Sequence, residues 1–283
     1  TFNFQHLTFN FQHLTFNFQH LTFNYRSMSE ENYTNPEQRL EPQEPFEELS
    51  KGDAMAGVFT APGETFETIA ATPKKNYWII PIIITIVVGL ISTFLFMQDA
   101  ELVSSTMEKQ KKKMAEQFEK NVKEGKMTQE DADKAMESMN PSGTFFKIIG
   151  FGGSVIGPFI ILFILSLLYL VMLKIFKADF EFVNVLNVVG LAMLITAVGS
   201  LISIVISVLK GEMSSVGLGL VLSQDTVGEK VHTLLTKLDV FSIWFYVVVA
   251  IGLSKIAKVD MIRSSSIVFG LFLLYAIATS LIF

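Results

Sequence analysis

The sequence predicts an all-α integral membrane protein: five transmembrane helices, with a soluble helical hairpin inserted between the first and the second. Three observations lead there. Half of the 283 residues are hydrophobic, 17% are charged and the mean hydropathy is +0.45, a balance foreign to soluble domains. Five apolar runs have the length that a hydrocarbon core of about 30 Å requires, roughly 20 helical residues. The long hydrophilic stretch between the first two runs, 98–151, carries nine lysines and ten acids. The chain contains no cysteine, which excludes a disulfide scaffold, thiolate zinc sites and cysteine nucleophiles. A net charge of −5 without a basic excess gives no reason to expect nucleic acid as a partner.

Residues 1–21 are TFNFQHL three times over, followed by a decayed copy ending at Met28. The apolar positions of this seven-residue unit fit neither a coiled-coil seam nor a solenoid repeat. Segment 1–27 is therefore expected to be artefactual or disordered, with translation starting at Met28. His6, His13 and His20 lack an acid or cysteine to complete a metal set, and no metal site is assigned. Segment 28–54 is acidic and proline-bearing, too poor in apolar residues to offset the entropy of ordering it, and is expected to be a disordered tail. In 55–77, Val58, Phe59, Phe66 and Ile69 fall at helix-compatible spacing around the Pro62-Gly63 break. This predicts a short amphipathic helix along the membrane, capped by Thr65.

The spans are expected at 78–97, 154–173, 183–209, 240–257 and 265–283, which places the termini on opposite sides. Lys255 stands near the end of the fourth, where its ammonium can snorkel to the interface. In the insert, Met107, Met114, Phe118 and Val122 mark one face of a first helix. Gly125 is a C-terminal stop, Thr128 with Asp131 an approximate capping box, and Asn140-Pro141 ends the second helix. Either a docking module or a solvated connector fits such a hairpin. Lys74, Lys75, Lys174, Lys177, Lys255, Lys258 and Arg263 pack against span ends on one side. Weighting them over the twelve lysines of the other, which are interleaved with acids or distant from the spans, puts the N-terminus in the cytoplasm and the C-terminus outside.

Catalytic signatures are missing: there is no HExxH, P-loop, GxGxxG or GxSxG. His232, the one histidine beyond the repeat, reads as a surface residue of an interfacial helix. Asp131-Ala-Asp133 lacks the oxygen ligand and glycine of a calcium loop. The first, second, third and fifth spans contain no carboxylate and no basic group, so proton-coupled pumping has no carrier in them. Their small and polar residues are Gly153 and Gly157 opening the second span, Gly199, Ser203 and Ser207 in the third, and Asn184 and Asn187 at its start. The small ones suit close helix packing.

Three stretches then gain weight together: VFTAPGETFETIAATP before the first span, KADFEFVNVLNVVGLAML into the third, and LDVFSIWFYVVVAIGLSKI at the fourth. Their carriers are Pro62, Phe66 and Pro73 in the first and Asp239, Phe241, Trp244 and Gly252 in the last. Over 57–283 the pattern resembles the bacterial five-span branch of the Yip membrane family, named for interaction with Rab-type GTPases. The resemblance implies a cytoplasmic N-terminus. It also implies kinship with eukaryotic proteins of vesicle traffic, but their aspartate-leucine-tyrosine-glycine-proline signature is missing here, so GTPase binding is not carried over.

The expected function is that of a non-enzymatic scaffold or adaptor of the bacterial inner membrane, without a cofactor. It would act through helix packing and through loop-mediated association with lipid, other membrane proteins or further copies of itself. The alternative is a channel or facilitator for a small neutral solute, with Asn184, Asn187, Thr196 and Ser203 along its path.

Overall fold

The computed structural model describes residues 49–72, 75–138, 144–176, 180–220, 222 and 224–282. The heptad repeat, the acidic tail up to residue 48, Pro73, Lys74, Lys177 and Asn140-Pro141 lie outside the described residues. The described part is helical: α1 (Lys51–Thr60), α2 (Pro62–Ala71), α3 (Ile79–Gln98), α4 (Ala100–Lys123), α5 (Gln129–Ser138), α6 (Thr144–Ile175), α7 (Phe182–Lys210), α8 (Gln224–Val227), α9 (Glu229–Lys237), α10 (Val240–Ala257) and α11 (Met261–Ile282). Five helices are long and apolar enough to cross a membrane: Ile79–Gln98, Phe146–Ile175, Phe182–Lys210, Val240–Ala257 and Met261–Ser280.

The second of these starts well before residue 154. Phe146, Ile148 and Ile149 continue the apolar run toward the N-terminus, and Pro158 is tolerated inside the helix. The fifth starts at Met261 rather than 265, four residues after α10 ends. Lys258 makes the reversal in the left-handed region at φ 50°, its backbone N–H bonded to Ser254 O.

α7 is the helix on which the others pack. Its most apolar window is 56% buried, against 11% for α3 and 17% for α6. α3, α6 and α10 lie against it, and α11 against α10. α6 presents Ile160, Ile161, Ile164, Leu167 and Val171 outward, as a lipid-facing helix does where the surrounding solvent is itself apolar.

Segment 55–77 departs from the expected single helix on the membrane surface. Two helices stand there, and the first begins at Lys51, inside the segment expected to be disordered. Ser50 caps it: its Oγ accepts the Asp53 N–H at 3.0 Å and donates to the Asp53 carboxylate at 2.6 Å. Thr65 is no cap but an interior residue of α2, donating to Ala61 O at 2.9 Å, while Pro62 occupies the first turn. Ala54, Val58, Phe66 and Ile69 are buried in the common core with α7 and α10. Protein helices offer these side chains a close-packed partner that a lipid interface cannot, so the pair docks into the bundle.

Candidate functional site

Asn187 lies at the centre of a polar site that joins the third span to the start of the first. It stands in the second turn of α7, fully buried, where an unpaired amide would be costly. Its side-chain oxygen accepts the backbone N–H of Tyr77 at 2.8 Å and of Trp78 at 3.2 Å, and its Nδ2 donates to Lys75 O at 2.8 Å. The N–H groups at a helix start have no intrahelical partner, so the side chain of one span satisfies the start of another. Tyr77 is itself buried, with its hydroxyl donating to Leu49 O at 2.9 Å. Gly190, one turn after Asn187, lets the Trp78 backbone approach: a Cβ there would stand 2.5 Å from Trp78 Cβ.

Two contacts join the first and last motif stretches, Phe66 with Gly252 and Phe59 with Trp244. Gly252 on α10 faces Val188 and Phe66, and a Cβ in its place would lie 2.5 Å from Val188 Cγ1 and 3.0 Å from Phe66 Cδ2. Phe66 fills that gap with no exposed surface. Trp244 meets Phe59 of α1 edge to face, with ring centroids 5.6 Å apart. Phe241 packs on Gly199 of α7, where an added Cβ would lie 2.7 Å from its ring. Asp239 caps α10, its carboxylate accepting the Phe241 and Ser242 N–H groups at 2.9 Å each and the Ser242 hydroxyl. Lys255 reaches Glu67 of α2 at 2.6 Å, so its ammonium ends on a carboxylate of the docked pair.

The remaining predicted residues divide. Ser207 is buried and ties the loop after α7 back onto it, accepting the Ser214 N–H at 2.9 Å and donating to Ser203 O at 2.7 Å. Gly153 and Gly157 do not make the close packing expected of them: among the described residues, a Cβ at either would meet no atom within 4 Å. They border a cavity of about 440 Å³ instead, together with Thr85, Pro158 and Thr196. The close approach of α3 and α6 falls to Gly89 and Ser154, reinforced by a 2.6 Å hydroxyl contact between Thr93 and Ser154. A second cavity of about 420 Å³, shared by α3, α4, α6 and α7, is lined by Ser203, Ser207 and Thr93 and by no charged side chain. Ser200 lines both. Asn184 and Asn187 line neither.

Outside the spans, α4 and α5 are joined at Gly125, which has φ 69°; its N–H bonds to Val122 O and that of Lys126 to Asn121 O. Thr128 accepts the Asp131 N–H at 3.1 Å and donates to the Asp131 carboxylate at 2.6 Å. α4 is held to the end of α7 by Ser105 Oγ, which donates to Gly211 O at 2.8 Å, and by the Lys109 to Glu212 ion pair at 3.3 Å. The hydrogen bond from Lys109 holds the Glu212 carboxyl below the usual carboxylate range; burial opposes it, and the charge of Lys109 and the nearby Lys210 add to it. His232 has its Nε2 3.3 Å from Gly219 O. Among the described residues no group of three or more His, Asp or Glu could hold a metal ion.

In the sequence Asn187 reads as a polar path residue at the start of the third span and Gly252 as a carrier of the last motif stretch. Their partners are brought in by chain segments many residues away, and only the joint occurrence of the three motif stretches signalled that they belong together.

Comparison with known proteins gives the same grouping. Residues 56–283 match the Yip1 domain. The chain is similar to the membrane protein YknW of Bacillus subtilis (strain 168), 24% identical over 235 residues that cover 81% of this chain and 90% of that protein. No solved structure matches. The domain match runs from α1 to the end of α11 and takes in the Asn187 site and every motif contact described above: the chain belongs to the Yip1 domain family of membrane proteins.

Proposed function

We propose that this chain is a non-enzymatic scaffold of the bacterial inner membrane, a fixed helical body that presents the α4–α5 hairpin to other membrane proteins. One observation carries the reading. The described motif residues Phe66, Phe241, Trp244 and Gly252 spend their side chains or their lack of one on contacts with Val188, Gly199 and Phe59, and none of them lines either cavity. Asn187, the polar group buried deepest at the start of α7, is committed to backbone groups. Family-defining residues used this way hold a shape, and a shape is what a scaffold contributes.

A second reading, a facilitator for a small neutral solute, draws on Thr196, Ser200 and Ser203 and the two cavities that Ser200 borders. These cavities lie on the half of the bundle nearer α4. On the other half Tyr77, Tyr169, Leu173 and Val188 are buried together, which leaves the solute no exit without a rearrangement.

Replacing Thr196 and Ser203 by leucine separates the two. A scaffold keeps its complexes and the growth phenotype of its host. A facilitator loses solute flux in reconstituted vesicles while keeping its fold.

A further inference from the structure

We propose that the groove between the first turns of α4 and the start of α6 binds one anionic phospholipid, its phosphate held between Lys111 and Lys147. The groove has a volume of about 700 Å³ and an apolar floor of Met97, Ala100, Val103 and Met107. Lys111 and Lys147 stand on it from two different helices, and neither has an ion-pair partner among the described residues. Glu108 is the one acid on the lining, against these two ammonium groups.

Its depth in the membrane follows from the neighbouring contacts. α3 ends at Gln98 and α4 begins at Ala100, and the Ser105 and Lys109 contacts keep α4 beside the end of α7. The first turns of α4 therefore run across the membrane end of the bundle instead of leaving it. Directly after Lys147, Ile148 and Ile149 are 64% and 56% exposed, as side chains in the acyl region are. Apolar floor, cationic rim and lipid-facing wall thus occur in the vertical order of a phospholipid: headgroup phosphate at the lysines, acyl chain over Met97 and Ile148. A soluble anion would use the lysines and leave the floor bare, whereas an acidic peptide would leave the exposed isoleucines uncovered. Basic pockets at the ends of spans hold anionic headgroups at roughly a factor of five per lysine.

The test uses the full chain, purified in mild detergent, stripped of lipid and offered an equimolar mixture of phosphatidylglycerol and phosphatidylcholine with identical acyl chains. Native mass spectrometry counts what stays bound. The wild type retains one phosphatidylglycerol in preference. Lys111→Gln with Lys147→Gln weakens that retention about 30-fold and leaves phosphatidylcholine unchanged. Lys111→Arg with Lys147→Arg restores the preference, showing that the fold has survived. Lys120→Gln with Lys123→Gln, an equal loss of charge at the far end of α4, changes it by less than about twofold. Equal retention of the two lipids by the wild type overturns the proposal, as does an equal loss in the Lys120 and Lys123 variant. No partner protein enters the measurement, so its failure leaves the scaffold reading standing.

Discussion

The side-chain oxygen of Asn187 on α7 accepts the backbone N–H of Tyr77 at 2.8 Å, so the first span starts where the third one holds it. The same side chain takes the Trp78 N–H and donates to Lys75 O, leaving an amide in an apolar core with its principal hydrogen-bonding positions filled. Asn187→Leu would leave two N–H groups and one carbonyl without that partner. It should cost about 2–4 kcal/mol, at roughly 1–3 for each buried group left unpaired, offset by what water recovers. Asn187→Asp retains the acceptor, loses the bond to Lys75 O and should fall between. Thermal unfolding in detergent orders the three proteins: wild type, then Asp, then Leu.

Gly252 lets α10 pack closely on Val188 of α7 and on Phe66 of the docked α2. A methyl there would overlap Val188 and press on Phe66, so Gly252→Val should destabilise by about 1–3 kcal/mol or expel α2 from the core. Phe66→Ala empties the same space and should cost about 3–5 kcal/mol. Because the two share one contact, combining Gly252→Val with Phe66→Ala should cost less than the sum of the separate effects. A double-mutant cycle reads this directly, and strict additivity would mean that the two sites are independent.

A chain without cysteine makes accessibility simple to read. Ser203→Cys, on the cavity that reaches Thr106 and Gln110 of α4, should react with a membrane-impermeant thiol reagent from the hairpin side alone. Val189→Cys, fully buried on the same helix, should not react. With the N-terminus in the cytoplasm the hairpin side is outside, so labelling of Ser203→Cys in intact spheroplasts tests the orientation in the same experiment.

The tether between α4 and α7 should depend on pH. The Glu212 carboxyl is held below its ordinary value by Lys109, so the contact contributes fully above the ordinary glutamate value and is lost as pH falls through the lower folded value. Both side chains are about half exposed or more, and solvent screening keeps the effect below about 1 kcal/mol. Hydrogen exchange over 100–109 should accelerate on acidification in the wild type, and Lys109→Gln should remove most of that dependence.

The five spans were legible because a hydrocarbon core demands long uninterrupted apolar helices, and this demand is written locally. Local too are the stop and the cap of the hairpin: Gly125 after α4 and Thr128 with Asp131 before α5. Their chemistry acts over three or four residues and can be read at that range. What was not legible depends on segments far apart in the chain. Asn187 reads alone as a polar residue in a span, and its role appears only when residues 75–78 are set against it. Val58 and Phe66 read as the apolar face of a surface helix because nothing in 55–77 says that α7 and α10 offer a better site. The four-residue spacing of Gly153 and Gly157 is common to many helix contacts, but the approach to α3 falls on the adjacent Ser154 face.

A scaffold that presents the α4–α5 hairpin is tested most directly by quantitative mass spectrometry of what copurifies with it in mild detergent from native membranes. The full chain is compared with one in which 100–138 is replaced by a short flexible linker, both checked for the same unfolding temperature of the bundle. At least one membrane protein is expected at a fixed stoichiometry with the full chain, and its loss from the shortened one. Recovery of both proteins alone, or with the same companions in the same amounts, would contradict it.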